Sequence, residues 1–178
     1  MFGNEIERAK LAMHCASDLA TRAEALKLLV HFVGDLHQPF HTVKEETGMN
    51  SHAVTIRIGG ATCGKSCGFN QLRSSDDNLH AVWDGSLIRK QVYDWGAYVD
   101  RLENGWLKTA DVAAVDQGDI ASWALETHAI ALKVFNETPP DNFLDDDYFK
   151  AELPVIDQQL GRAGLRLAKL LNDKVSCP

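Results

Sequence analysis

Long apolar runs are missing from this sequence. Nothing in its 178 residues approaches the roughly 20 consecutive apolar residues that span a bilayer. A basic excess is missing too. The formal net charge is −7 and no Lys/Arg tail or stripe stands out, which excludes a protein that grips nucleic acid by charge neutralisation alone; a bound divalent ion would change that balance locally. The opening stretch, MFGNEIERAKLAMH, carries acids early and has no apolar h-region, so it does not read as a signal peptide. Cysteine is sparse, and the scatter of Cys15, Cys63, Cys67 and Cys177 does not suggest a dense disulfide framework. Cys63 and Cys67 share the stretch GGATCGKSCG, which leaves three readings open: a local disulfide in an exported protein, a zinc site needing two further ligands, or two free thiols. There is no internal repeat, no low-complexity tract, no G-x-S-x-G, no P-loop and no dinucleotide fingerprint.

What is present is enough for a core. The length fits one domain, 1–178, and 45% of the residues are hydrophobic. Apolar spacing predicts a helix over about 4–19, through Ile6, Ala9, Ala12, Met13 and Ala16, and a second over 21–36, with Pro39 just beyond its end. Residues 42–78 read as irregular around one strand, AVTIRI (53–58). DDNLHAVWDGSLIRK reads as a third helix with Ser75, Asp76 or Asp77 as N-cap. Another helix follows Gly118–Asp119 and stops at Pro139–Pro140. A last one is expected from about Pro154, through Ile156, Leu160, Ala163, Leu167, Leu170 and Leu171. The expected class is all-α, multi-helical, with at most a minor β-hairpin.

The informative stretch is HFVGDLHQPFH, residues 31–41. At about 100° per residue, His31 and Asp35 share one helix face, while Leu26, Leu29, Phe32, Val33 and Leu36 fill a broad arc elsewhere. That pattern predicts a buried helix with His31 and Asp35 on its one polar stripe. His41 follows Pro39 and can turn back to the same cavity. NLHAVWDG repeats the spacing with His80 and Asp84, again among apolar residues. A single His-x-x-x-Asp pair is often just an ion pair on a helix. Two such pairs plus a third histidine favour metal, and the mixed imidazole and carboxylate set suits zinc best. Five ligands exceed one tetrahedral site, so two nearby ions are the natural reading. His37 falls on the opposite side from Asp35 and is expected as a supporting or surface residue rather than a ligand. His14, His52 and His128 lack a partnered spacing and read as ordinary polar residues. Trp83, Trp95, Trp106 and Trp123 read as packing, and the run Asp145–Asp147 as a helix opening.

In order and spacing, HFVGDLHQPFH followed by NLHAVWDGSLI resembles the signature pair of the S1/P1 nucleases, relatives of zinc-dependent phospholipase C. The resemblance continues through DWGAYVDRLENGWL, SWALETH and LPVIDQQLGRAGLRLAKLLN, nearly the whole chain. It implies a mainly helical fold holding three zinc ions in a cleft, and hydrolysis of single-stranded DNA and RNA to 5′-nucleotides, often with 3′-nucleotidase activity. It implies that His41, His80 and Asp84 are the complete protein ligand set of one zinc. His31 and Asp35 would be part of a second set, with Asp35 also bridging to a third ion. Asp35 and Asp84 would act in catalysis through the metal. Gly48-Met49-Asn50 resembles a Gly-Gly-Asn segment that helps bind the nucleobase, so Gly48 and Asn50 carry over and Met49 does not.

The family's N-terminal tryptophan and its following zinc ligands have no counterpart before His31. The chain is therefore expected to be N-terminally incomplete, with apolar surface left open to self-association. The implied partners are single-stranded nucleic acid or 3′-nucleotides and no membrane, and the implied location is secreted or periplasmic. A phospholipase C-like phosphodiesterase and a non-catalytic zinc-binding helical fragment are the competing readings.

Overall fold

The computed structural model describes residues 2–58, 61–62, 77–91 and 94–177. Cys63, Cys67, Ser75 and Asp76 lie outside them, as does the side chain of Trp95. Helices α1 (Phe2–Cys15) and α2 (Leu19–His37) pack as a helical hairpin. The first helix stops at Cys15, short of the expected residue 19, because Asp18 serves the next one. Its carboxylate accepts the Thr21 backbone N–H at 2.8 Å, which satisfies an orphan donor of the first turn. Leu29, Val33 and Leu36, at helical spacing, form a core with Ile6, Ala9, Ile120, Trp123 and Leu170. Leu26 stays 40% exposed, so the buried stripe of α2 is narrower than its composition predicts.

After α2 the chain makes a 3-10 turn at Pro39–Thr42. Proline suits that first position, because its missing N–H is not needed there. Strand β1 (Thr55–Ile58) pairs antiparallel with β2 (Ala61–Thr62), the expected small hairpin. β3 (Phe143–Leu144) then adds in parallel to the other edge, Thr55 opposite Phe143; a strand of two residues has no periodicity to read.

The third helix begins as α3 (Leu79–Ala81), passes through a π-helical turn at Val82–Ser86, and ends as α4 (Leu87–Gln91). Its N-cap is Asn78, one residue beyond the expected candidates; the Asn78 side chain accepts from the Ala81 N–H at 2.9 Å. Short helices α5 (Trp95–Asn104), α6 (Trp106–Thr109) and α7 (Val112–Val115) follow. Then comes α8 (Ile120–Asn136), opened by a reciprocal Asp119–Ser122 capping box.

The last helix, α9, runs Asp146–Asn172, which corrects the expected start at Pro154. Asp145 opens it, accepting from the N–H groups of Asp147 and Tyr148 at 3.1 and 3.0 Å, so the acidic run opens a helix as read. Pro154 sits inside, where its lost hydrogen bond and ring clash cost about 3 kcal/mol. Burial of Phe149 and Ile156 on either side offsets that cost. The Trp106 ring packs closely against Gly161 of α9, where an added Cβ would come within 2.3 Å of it. Trp83 and Trp123 are buried, as expected of packing tryptophans.

A second core of Phe40, Val54, Ile56, Leu79, Val82, Trp83, Leu87 and their neighbours holds the 3-10 turn against the π-turn helix. A disulfide, Cys15–Cys177, ties the end of α1 to the tail beyond α9. Among the described helices, none is long and apolar enough to cross a membrane.

Candidate metal centre

Two segments about forty residues apart meet here. Asp35 stands on the last turns of α2, His41 on the 3-10 turn, and His80 and Asp84 on the π-turn helix. The π-turn lies at the metal motif itself, where such turns often mark functional sites. His41 Nε2 is 3.0 Å from Asp84 Oδ1, and His80 Nε2 is 3.1 Å from Asp84 Oδ2. The two imidazoles stack with centroids 4.6 Å apart. One donor atom from each of His41, His80 and Asp84 lies within 4.8 Å of the others, the one such group among the described residues. Two imidazole nitrogens and a carboxylate oxygen are the donor chemistry of a zinc site with three protein ligands, which leaves a coordination position for substrate or water.

His31 and Asp35 continue the cluster outward. His31 Nε2 lies 3.3 Å from Asp35 Oδ2, and His41 Nδ1 lies 3.6 Å from that oxygen. The sequence pattern predicts both as buried, yet the His31 side chain is 63% exposed and that of Asp35 is 23% exposed. The reason is geometric: α2 buries Leu29, Val33 and Leu36, and His31 falls outside that stripe.

Charge sets the protonation of the cluster. The Asp84 hydrogen bond holds the His41 pKa above the usual imidazole range, against burial. Burial pushes the Asp84 carboxyl up, but the hydrogen bonds from His41 and Gln38 and the histidine charges outweigh it and leave its pKa low.

His37 is not a surface residue. It is buried at 2% exposure. Its Nδ1 donates to the Val33 carbonyl at 2.8 Å, and its Nε2 accepts from Arg166 at 3.0 Å. Burial drives its pKa down to about 4, which keeps the ring neutral. Arg166 also pairs with Glu126 and donates to the Val115 carbonyl, and Gln159 donates to the His37 carbonyl at 2.8 Å. This buried network clamps the end of α2 to α8 and α9. His128, read as an ordinary polar residue, donates from Nδ1 to the Thr42 carbonyl at 3.0 Å and so pins the turn that carries His41.

The segment of Gly48 and Asn50 lies directly beside the site. The Asn50 carbonyl accepts the His80 N–H at 3.1 Å, and the His52 carbonyl accepts the Leu79 N–H at 3.0 Å. Gly48 has φ +67°, a left-handed conformation that glycine adopts without strain. Met49 is buried beneath. Gln38 and His128 are the neighbours of the site that sequence reasoning passed over; each recognises a backbone or carboxylate group from a distant segment, which spacing does not reveal.

A mainly helical fold here brings two histidines and an aspartate into one group with the donor chemistry of a metal site. The model of the S1/P1 nuclease family matches residues 4–176, and the chain belongs to that family. It is 29% identical over 173 residues to Endonuclease 5 of Arabidopsis thaliana, covering 84% of this chain and 50% of that protein. Endonuclease 4 of the same plant is 30% identical over 165 residues, with the same coverage of each chain. Nuclease P1 of Penicillium citrinum is 27% identical over 172 residues, 85% of this chain and 57% of the relative. The chain thus spans about half the length of the curated relatives it matches.

Proposed function

We propose that this protein is a zinc-dependent phosphodiesterase that hydrolyses single-stranded DNA or RNA to 5′-nucleotides, with 3′-nucleotidase activity on nucleotides. The observation that carries the reading is the convergence of His41, His80 and Asp84, one donor atom of each within 4.8 Å of the others, in a chain of this family. These three residues hold one zinc ion, and His31 and Asp35 contribute to a second and, through Asp35, a third. Residues 1–178 act as one domain of the family.

Zinc, when bound, supplies Lewis acidity toward a phosphoryl oxygen and toward the attacking water. The chain's own residues prepare for it. The Asp35 carboxylate near His41 Nδ1 favours a proton on that nitrogen and leaves Nε2 as the donor toward the centre. The low pKa of Asp84 keeps it an anion at neutral pH. Gly48 and Asn50 take up a nucleobase in this reading; the bond from the His80 N–H to the Asn50 carbonyl, which sets the segment beside the His80 helix, supports it. A base taken up this way must be splayed from its neighbours, which a duplex resists.

The Cys15–Cys177 disulfide supports a secreted or periplasmic location. Exposed Leu11, Leu19 and Leu28 along the α1–α2 hairpin support self-association of the chain. The test of the activity is digestion of single-stranded DNA. EDTA-sensitive cleavage abolished by Asp84→Ala supports the reading, and cleavage that survives EDTA or Asp84→Ala refutes it.

A second reading, a zinc-binding helical unit without turnover, draws on one observation. Among the described residues, only one group of three ligands is assembled. Zinc bound by wild type with no cleavage of single-stranded DNA selects it.

A further inference from the structure

Gln38 touches every segment of the candidate metal centre. Its backbone N–H donates to the Asp35 carbonyl at 3.1 Å, and its own carbonyl accepts the His41 N–H at 3.1 Å. Its side-chain Oε1 accepts the Phe40 N–H in a short hydrogen bond. That bond fixes the amide orientation, since only oxygen can accept there. Nε2 therefore faces the second motif, where it donates to Asp84 Oδ1 at 2.6 Å and approaches the His80 carbonyl at 3.4 Å.

Among the described residues, Asp84 has three side-chain partners: His41, His80 and Gln38. Two of them approach Asp84 through the same Nε2 atoms that a metal ion would claim. A nitrogen that gives its lone pair to a metal no longer offers a proton to Asp84. Gln38 has no such conflict, because its amide nitrogen is a donor only. Of these three, it is the side-chain partner that Asp84 keeps whether or not the centre is loaded.

From this geometry we infer that Gln38 is a positioning residue of the metal centre. It anchors Asp84 Oδ1 through its amide, leaves Oδ2 for coordination, and couples the turn of His41 to the helix of His80. The inference rests on His41, His80 and Asp84 binding zinc, as proposed above. Gln38 itself touches neither metal nor substrate.

The test measures zinc affinity at pH 7.5 by titration against a chromophoric chelator, together with the visible absorption of the cobalt-substituted protein. Two variants separate anchoring from capping. Gln38→Glu keeps an oxygen for the Phe40 N–H and places a carboxylate against Asp84. Gln38→Met removes both interactions. The expected result is a zinc affinity weakened about 10–100-fold in both variants, the range for loss of an outer-shell partner, with altered cobalt bands. Gln38→Glu should still unfold in one cooperative thermal transition in EDTA, which shows that the turn remains formed. If Gln38→Glu fails to fold, Gln38→Met carries the same test of affinity and spectrum. Zinc affinity within twofold of wild type and unchanged cobalt bands in Gln38→Glu overturn the inference, as does a loss confined to Gln38→Met, which would make Gln38 only a turn cap. Failure of wild type to bind zinc overturns the site itself, an outcome read separately from any difference between variants.

Discussion

Glu152 offers a stability test far from the metal chemistry. It lies on α9, buried at 4% exposure, and its Oε2 has no hydrogen-bond partner. Burial first, then the Glu137 charge, pushes its pKa from the usual 4.5 up to about 7. The folded state therefore holds this proton more tightly than the unfolded chain. Below about pH 4.5 both states are protonated and the group costs nothing. As pH rises toward 7 the unfolded chain ionises more readily, and stability falls until the loss is complete above about pH 7. At about 1.4 kcal/mol per pKa unit the ceiling is about 3 kcal/mol, and an opening to solvent beside Glu152 reduces it to about 2. Glu152→Gln removes the ionisation. Urea unfolding in EDTA, at pH 5 and at pH 8.5, isolates the effect as a double difference. Part of the loss is already present at pH 5, where the unfolded carboxyl is mostly ionised, so the variant should gain roughly 1–1.5 kcal/mol over wild type at pH 8.5 relative to pH 5, or about 3–5 °C in a thermal midpoint. Equal pH dependence in the two proteins would refute the reasoning.

Three further outcomes follow from the packing. Replacing Cys15 and Cys177 together by serine opens a loop of 162 residues; loop entropy sets a ceiling of roughly 5 kcal/mol, and the double variant should melt well below wild type in a thermal scan. Arg166→Leu strands the Glu126 carboxylate, the Val115 carbonyl and His37 Nε2; because Glu126 is partly solvated, urea unfolding should show a loss of about 2–4 kcal/mol. The raised pKa of His41 means that protons compete with metal. Zinc affinity should therefore fall as the solution is acidified through the imidazole range, and a pH-independent affinity would exclude His41 as a ligand.

The side-chain cluster of His41, His80 and Asp84 was legible because chemistry and period coincide. A histidine four residues before an aspartate shares a helix face with it, and two such pairs in apolar sequence narrow the readings to few. The long helices were legible for the same reason, with Asp119 marking the start of α8, whereas the start of α9 at Asp145 was placed too late, at Pro154. Pro154 misled because tertiary burial outweighs a local cost that sequence alone displays. His31 misled because its helix shows apolar residues around most of its surface while packing on one stripe only. Gln38 and Arg166 escaped notice, and His128 was read as an ordinary polar residue, because each acts through a hydrogen bond across forty residues or more, and no local period encodes such a bond. The Cys15–Cys177 pairing escaped for the same reason.

The central claim is that His41, His80 and Asp84 hold zinc, and metal content per chain tests it most directly. Wild type and His80→Ala are loaded with zinc, freed of excess by gel filtration, and assayed by elemental analysis. The account predicts that His80→Ala retains about one zinc fewer per chain than wild type while remaining folded. Equal zinc in the two proteins, or no zinc in wild type, would contradict it.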